Sequence, residues 1–193
     1  MKASAAKKSR LQPQDWLDQA LAEILETGIE GISVDRLASN LHVTRGSFYH
    51  HFSDRTEFID TLLEYWERKW TLEIGDDISA LGLDPVQSLL ALSRMIRHRR
   101  AAEYDCVFRF WAMHNKKARE TLRRVDSYRL GVIRKLFQGA GFEGLDAENR
   151  ARMYLYYETA ESSIFCDQDP ETREQLVLKR LDLLLNGKLS GKT

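Results

Sequence analysis

"LHVTRGSFYHHF", residues 41–52, sets aromatic rings and three histidines beside one arginine and one glycine. It is too polar for an ordinary core helix and too aromatic for a loop. In its context, SVDRLASNLHVTRGSFYHHFSDR over 33–55, the stretch becomes readable. Ser33 stands where it would cap a short helix whose apolar positions Val34, Leu37, Ala38 and Leu41 share one face. Residues 40–43 make a turn, where His42 suits a positive φ better than most side chains do, and Ala38 is small where two crossing helices come close. Thr44 would cap the second helix, with Val43 and Phe48 turned to the core. By residue chemistry and spacing this is a helix-turn-helix. The second helix offers Thr44, Arg45, Ser47, Tyr49 and His50 on its outer side, hydroxyls, a guanidinium and an imidazole suited to base edges and phosphates. Gly46 lets the backbone approach a phosphate closely. His51 and Phe52 read as packing beneath that helix.

Working outward, helical periodicity runs almost throughout and no strand is convincing. The spacing predicts helices over 13–27, 34–40, 44–51, 54–74, 85–101, 103–114, 117–138, 147–166 and 170–186. Pro85 and Pro170 follow Asp84 and Asp169, so each opens a helix behind a capping acid, and Pro13 precedes an amphipathic run. Ser53 is placed to cap the long helix behind the opening stretch. The chain divides by this reading into a helix-turn-helix domain with a basic N-terminal arm at 1–55 and a helical domain at 56–193.

The 193 residues hold 29 Lys+Arg and 29 Asp+Glu, so bulk charge predicts no partner and only its distribution informs. MKASAAKKSR at 1–10 reads as a basic arm, not a secretory signal, because no apolar stretch follows it. No stretch approaches the roughly 20 apolar residues of a membrane span, so the expectation is a cytoplasmic protein without membrane contact. Cys106 and Cys166 are too few and too scattered for a disulfide framework or zinc site, and read as thiols. Three of the five histidines fall in the opening stretch, and neither metal-spaced His/Cys sets nor phosphate-cradling glycine loops occur, so neither enzyme nor cofactor is expected.

Residues 10–60 resemble the DNA-binding domain of the TetR family of bacterial transcription regulators. The likeness rests on A-x-x-x-I-L-E-T-G at 20–28, with Ser33, Leu37, Ala38, Val43, Thr44, Gly46, Phe48, Tyr49, His51 and Phe52, then Arg55 and Phe58. The resemblance implies an all-α fold, with a three-helix helix-turn-helix domain joined to a larger helical ligand-binding and dimerisation domain. Carried over by position, Thr44, Arg45, Gly46, Ser47, Tyr49 and His50 lie on the recognition helix, and Ser33 and Arg55 start flanking helices near phosphates. His42 stands where the family often has glycine, and Arg55 where it usually has lysine. The implied function is a ligand-responsive regulator, in the family's commoner mode a repressor, that binds a palindromic double-stranded operator as a homodimer and is released by a small-molecule effector. The alternative is a helical protein-binding adaptor without specific DNA recognition, which would leave Arg45, Tyr49 and His50 without a use.

Charge qualifies this picture. Residues 1–72 carry nine Lys+Arg against eleven Asp+Glu, although no acid occurs over 37–53. Between Arg94 and Lys135 thirteen Lys+Arg face four Asp+Glu, which reads either as a second nucleic-acid surface or as solvated faces and partners for acids elsewhere. Trp66, Trp70, Phe108, Trp111, Tyr128 and Tyr154 supply rings for a ligand pocket, with Arg109 and Glu158, and more weakly His98 and His114, as its polar contacts. Dimerisation is expected of the last two helices, through Ala151, Tyr154, Leu155, Glu158, Ser162 and Phe165 on one and Leu176, Val177, Leu181, Leu184 and Leu185 on the other.

Overall fold

The computed structural model describes residues 11–164 and 169–186. The basic arm, Phe165 and Cys166 therefore lie outside the described residues. Among the described residues ten α-helices follow in chain order: α1 Pro13–Thr27, α2 Val34–Asn40, α3 Arg45–Tyr49, α4 Arg55–Glu67, α5 Glu73–Ala80, α6 Pro85–His98, α7 Ala101–Ala112, α8 Lys116–Gly139, α9 Gly144–Ile164 and α10 Pro170–Leu184. Among the described residues there is no strand, and no helix is long and apolar enough to cross a membrane.

The prolines behave as their position demands, each sitting in the first turn of α1, α6 or α10, where a missing N–H costs nothing. Asp84 Oδ1 accepts from the N–H groups of Val86 at 3.0 Å and Gln87 at 3.2 Å, and Asp169 Oδ1 from that of Thr172 at 3.0 Å. The expected serine and threonine caps are corrected. Ser33 and Thr44 have the extended backbone of a cap, yet neither side chain bonds to its helix. The cap of α4 is Asp54, whose Oδ1 accepts from the Glu57 N–H at 2.9 Å, while the Ser53 N–H donates to the Glu57 carboxylate at 2.7 Å. A carboxylate is the stronger acceptor at a helix start, where unpaired N–H groups concentrate positive charge.

The helix expected over 54–74 is also corrected. After α4 the chain makes a π-helical turn, Arg68–Leu72, and then continues as α5 to Ala80. A π turn leaves backbone carbonyls off the regular ladder. Here Arg129 Nη2 donates to the carbonyl of Trp70 at 3.0 Å and Nε to the Thr71 hydroxyl at 3.0 Å, stabilising the turn from α8. Periodicity cannot show this, because the stabilising residue is 58 positions away.

The chain forms two compact units, one ending at Leu62 and the other beginning at Leu63. In the first, Trp16, Leu37, Phe48 and Phe58 are fully buried. In the second, α8 packs against α6, α7 and α9, and α10 against α6. Its core includes Trp66, Phe108, Phe137 and Tyr154, none of them exposed.

The apolar stripes assigned to dimerisation face this core. Ala151, Tyr154, Leu155 and Glu158 on α9 are buried, as are Val177, Leu181, Leu184 and the adjoining Leu185. A helix two layers deep buries its strongest stripe inside its own chain, so stripe strength does not identify an outer face. Of the assigned set Leu176 is exposed, and outside it these helices expose Leu145, Met153, Tyr156 and Ile164 on α9 and Leu183 on α10.

Candidate nucleic-acid interface and ligand cavity

The first unit is built around Phe48. Its ring meets Trp16 of α1 at 5.4 Å between centroids, Phe58 of α4 at 5.2 Å and Phe52 at 5.2 Å, the first two edge to face. Edge-to-face pairs fix ring orientation as well as burying area. With Phe48 anchored, helical rotation leaves little choice for its neighbours: Arg45, Gly46, Tyr49 and His50 are exposed, Thr44 before them is exposed, and Ser47 is half-buried. The preceding turn closes through Val43 N–H to the Ala38 carbonyl at 2.9 Å, and His42 takes φ 56°, as its side chain allows.

Arg45 lies across Tyr49, with its Cζ 5.7 Å from the ring centroid and Nη2 donating to the phenol at 3.2 Å. Asp35 stands 3.5 Å away, an exposed pair of the kind worth little in water. A Cβ on Gly46 would meet only the Thr44 hydroxyl at 3.7 Å, so the fold does not require glycine there. Ser33 is exposed at the start of α2. Arg55 reaches back from α4 to the carbonyls of Ile29 at 3.2 Å and Ile32 at 3.4 Å, tying the start of α4 to the segment before α2. His51 is half-buried against Phe52, which is buried.

Sequence reasoning passed over Glu23. Its buried carboxylate accepts from Arg36 at 2.7 Å, Asn40 at 2.7 Å and Gln19 at 3.1 Å, joining α1 to both ends of α2. Burial alone would raise its pKa; the hydrogen bonds from Arg36, Gln19 and Asn40 outweigh it and leave the carboxyl below its usual value. The available signal was an acid inside the buried series Ala20, Leu21, Ile24.

Between the helices of the second unit lies a partly open cavity of about 530 Å³, counting the solvent space at its mouth. Of the eight residues expected to line a pocket, four meet there: Trp70, Tyr128, Tyr154 and Glu158. Trp66 and Phe108 are stacked on each other at 4.3 Å and fully buried behind it, and Trp111 is half-buried beside Phe108. Arg109 lies in an open groove, bidentate on Asp126, with Nη1 at 2.9 Å and Nη2 at 2.5 Å. His98 and His114 are exposed, and Cys106 is a half-buried free thiol.

The cavity wall is mostly apolar, with hydroxyls from Thr71, Tyr128, Tyr154 and Thr159, and it carries two buried charged groups. One is the Asp105–Arg129 pair, whose guanidinium is taken up by Asp105, Thr71 and the Trp70 carbonyl. The other is Glu158, whose Oε1 accepts from Ser93 at 2.7 Å and Arg180 at 2.7 Å. Burial pushes the Glu158 carboxyl up against the pull of Arg180; burial and then the Glu158 charge push the Tyr154 phenol up, and its O–H donates to the Leu89 carbonyl at 2.8 Å. A Cβ on Gly75 would stand 2.5 Å from the Tyr128 hydroxyl, so any larger residue there would displace the phenol from the cavity wall. Asp105 and Arg129 were legible as charges interrupting the apolar stripes of α7 and α8, a signal the sequence reading did not use.

The cations of residues 94–135 turn out largely occupied. Arg94 and Arg97 pair with Glu174, Arg99 with Asp77, Arg124 with Glu67 and Arg134 with Glu148. They are partners for acids elsewhere in the chain, the second of the two readings above.

Residues 17–62 match the family model described as bacterial regulatory proteins, tetR family. The nucleoid occlusion factor SlmA of Pectobacterium carotovorum subsp. carotovorum (strain PC1) is 38% identical over 59 residues, which is 30% of this chain. The matched stretch likewise spans 30% of that relative's length. Among solved structures, a transcriptional regulator from Rhodococcus sp. Rha1 shares the fold at TM-score 0.75 and 22% identity, over 92% of this chain and 97% of that one. The transcriptional regulator FadR from Bacillus subtilis, solved in complex with stearoyl-CoA, shares it at TM-score 0.66 and 19% identity, over 91% and 99%. Residues 17–62 thus carry a segment of the tetR family of bacterial regulatory proteins, and the chain as a whole shares a helical fold with those solved regulators.

Proposed function

We propose that the protein is a ligand-responsive transcription regulator, a repressor that reads a palindromic operator as a homodimer and leaves it when a small molecule enters the cavity. The observation that carries the reading is α3 itself. Phe48 holds the helix down by one side, and Arg45, Tyr49 and His50 stand in solvent on the other, where the core has no use for them. Thr44, Ser47 and the Gly46 backbone complete a surface of donors and small groups suited to base edges and phosphates, with Ser33 and Arg55 at flanking helix starts.

One such head makes too few contacts for tight binding, so two are needed, spaced about 34 Å apart to meet successive major grooves. The exposed Met153, Tyr156 and Leu183 on α9 and α10 supply apolar surface for that dimer. The cavity among α5 to α9 is the effector site, and FadR's stearoyl-CoA supports a small-molecule site on this fold. A cytoplasmic location accords with this function.

The test is a gel shift with genomic fragments at two salt concentrations, followed by sedimentation of a Met153→Glu, Leu183→Glu variant. Specific retardation that is lost together with the dimer is the expected result. A chain that retards no fragment at low salt is an adaptor instead, and a variant that stays dimeric moves the interface elsewhere.

A further inference from the structure

The polar groups of the cavity decide what kind of molecule it takes, given the reading that it is the effector site. An anionic head would need a cation, and the guanidinium on the wall, Arg129, already spends its three nitrogens on Asp105, Thr71 and the Trp70 carbonyl. Arg109 lies outside the wall and is bidentate on Asp126, so it offers the cavity no site for an anion.

The acceptor side is different. Glu158 lines the cavity with its side chain 2% exposed, and Oε1 takes both of its hydrogen bonds, from Ser93 and Arg180. Oε2 is buried with no hydrogen-bond partner among the described residues. A buried acceptor left unpaired is costly, and a donor brought in by a ligand removes that cost. The neighbouring phenol of Tyr154 does not supply it, because its O–H is directed to the Leu89 carbonyl. Nor does charge balance ask for a cation, since Glu158 and the neighbouring Glu161 share Arg180, at 2.7 Å and 3.8 Å, and Arg97 and Arg173 stand beside the same two carboxylates. The missing group is a neutral donor on an apolar body.

We infer that the cavity takes an alcohol or phenol, an apolar molecule whose hydroxyl donates to Glu158 Oε2 while its hydrocarbon part packs on Trp70, Ile74 and Tyr128. The acyl end of a coenzyme A thioester carries no such donor, so this chain and FadR part company in ligand chemistry.

Isothermal titration of the full chain with 4-butylphenol, 4-butylanisole and 4-butylbenzoate tests this. The three share size and ring and differ in being donor, acceptor only and anion. The phenol binds at least fivefold more tightly than either of the others if Glu158 reads a hydroxyl. In Glu158→Gln the amide oxygen stays toward Ser93 and Arg180, which turns the unpaired atom into a donor, so the preference passes to the anisole. The unmodified chain decides the matter even if the variant does not fold. A benzoate that binds tightest, or an anisole within fivefold of the phenol, overturns the inference. Binding of none of the three also overturns it, and leaves the DNA-binding reading standing if operator is still retarded. A phenol preference in a chain that binds no DNA would instead sink the proposed function and keep the cavity chemistry.

Discussion

Arg45 in the first unit and Arg129 in the second are the same side chain put to opposite uses. Arg45 is exposed on a five-residue helix, its contacts being one phenol and a 3.5 Å neighbour, Asp35. Arg129 is 14% exposed and holds together α7, α8 and the π turn through Asp105, Thr71 and the Trp70 carbonyl. A guanidinium in solvent keeps its donors for a partner at little cost, whereas a buried one must spend them all within the fold. Local density of arginine therefore misleads, since the richest run, residues 94–135, is largely consumed in internal pairs. The acid-free stretch 37–53 holds one arginine, and that one is open to solvent.

The largest effect should come from breaking the buried partner. Asp105→Ala leaves the Arg129 guanidinium uncompensated and is expected to cost about 3–5 kcal/mol of stability. The Asp105→Leu, Arg129→Met double variant should recover most of that loss, because an apolar pair of similar volume replaces a buried ion pair with little penalty. Chemical denaturation followed by tryptophan fluorescence measures both, and a double variant no better than the single one would assign the cost to packing instead of charge.

Arg45→Ala should do the converse. Its midpoint of thermal unfolding stays within a degree or so of the parent's, while operator binding weakens by about 1–3 kcal/mol and base preference relaxes. Equal operator affinity in parent and variant would mean that α3 is not the reading helix. Tyr49→Phe, which removes one hydroxyl from the same surface, is smaller still, at about 0.5–1.5 kcal/mol, and should be felt alike on every sequence. A titration of operator against scrambled duplex separates the two behaviours.

The smallest effect is on pH. Glu23 is held below its ordinary pKa in the fold, since the hydrogen bonds from Arg36, Gln19 and Asn40 outweigh burial. A depressed carboxyl binds fewer protons folded than unfolded. Its contribution is thus fully present above the ordinary glutamate range and is lost as pH falls below about 4.5 through the folded value. Thermal melts of the parent between pH 6 and 3 should show a drop that Glu23→Gln reduces. Parallel curves for the two proteins would show that Glu23 carries no such linkage.

How much of this could be read in advance differs between the units. The α1–α3 boundaries came out within a residue or two, because caps, prolines and apolar spacing are local signals and the elements are short. The aromatic side of α3 was legible for the same reason: Phe48 and Phe52 lie four apart and so share a helical face, and Phe58 adds a third ring from the helix that follows. In the second unit the helices were found but their faces were not. Leu155 and Leu184 belong to a buried stripe, while the exposed apolar residues of the same helices are Met153, Tyr156 and Leu183. The π turn was missed altogether.

What the sequence by itself determined is therefore the helical class, the helix-turn-helix and the side chains it presents, each signalled by residue types a few positions apart along the chain. Only the tertiary structure decided which aromatic residues line the cavity, which arginines remain open and that Glu158 keeps one oxygen unpaired. Those outcomes depend on groups as far apart along the chain as Arg94 and Glu174, 80 positions, meeting in space. A one-dimensional pattern records that a residue is apolar or charged, but which neighbour a packed interior assigns to it is settled when the helices close on one another.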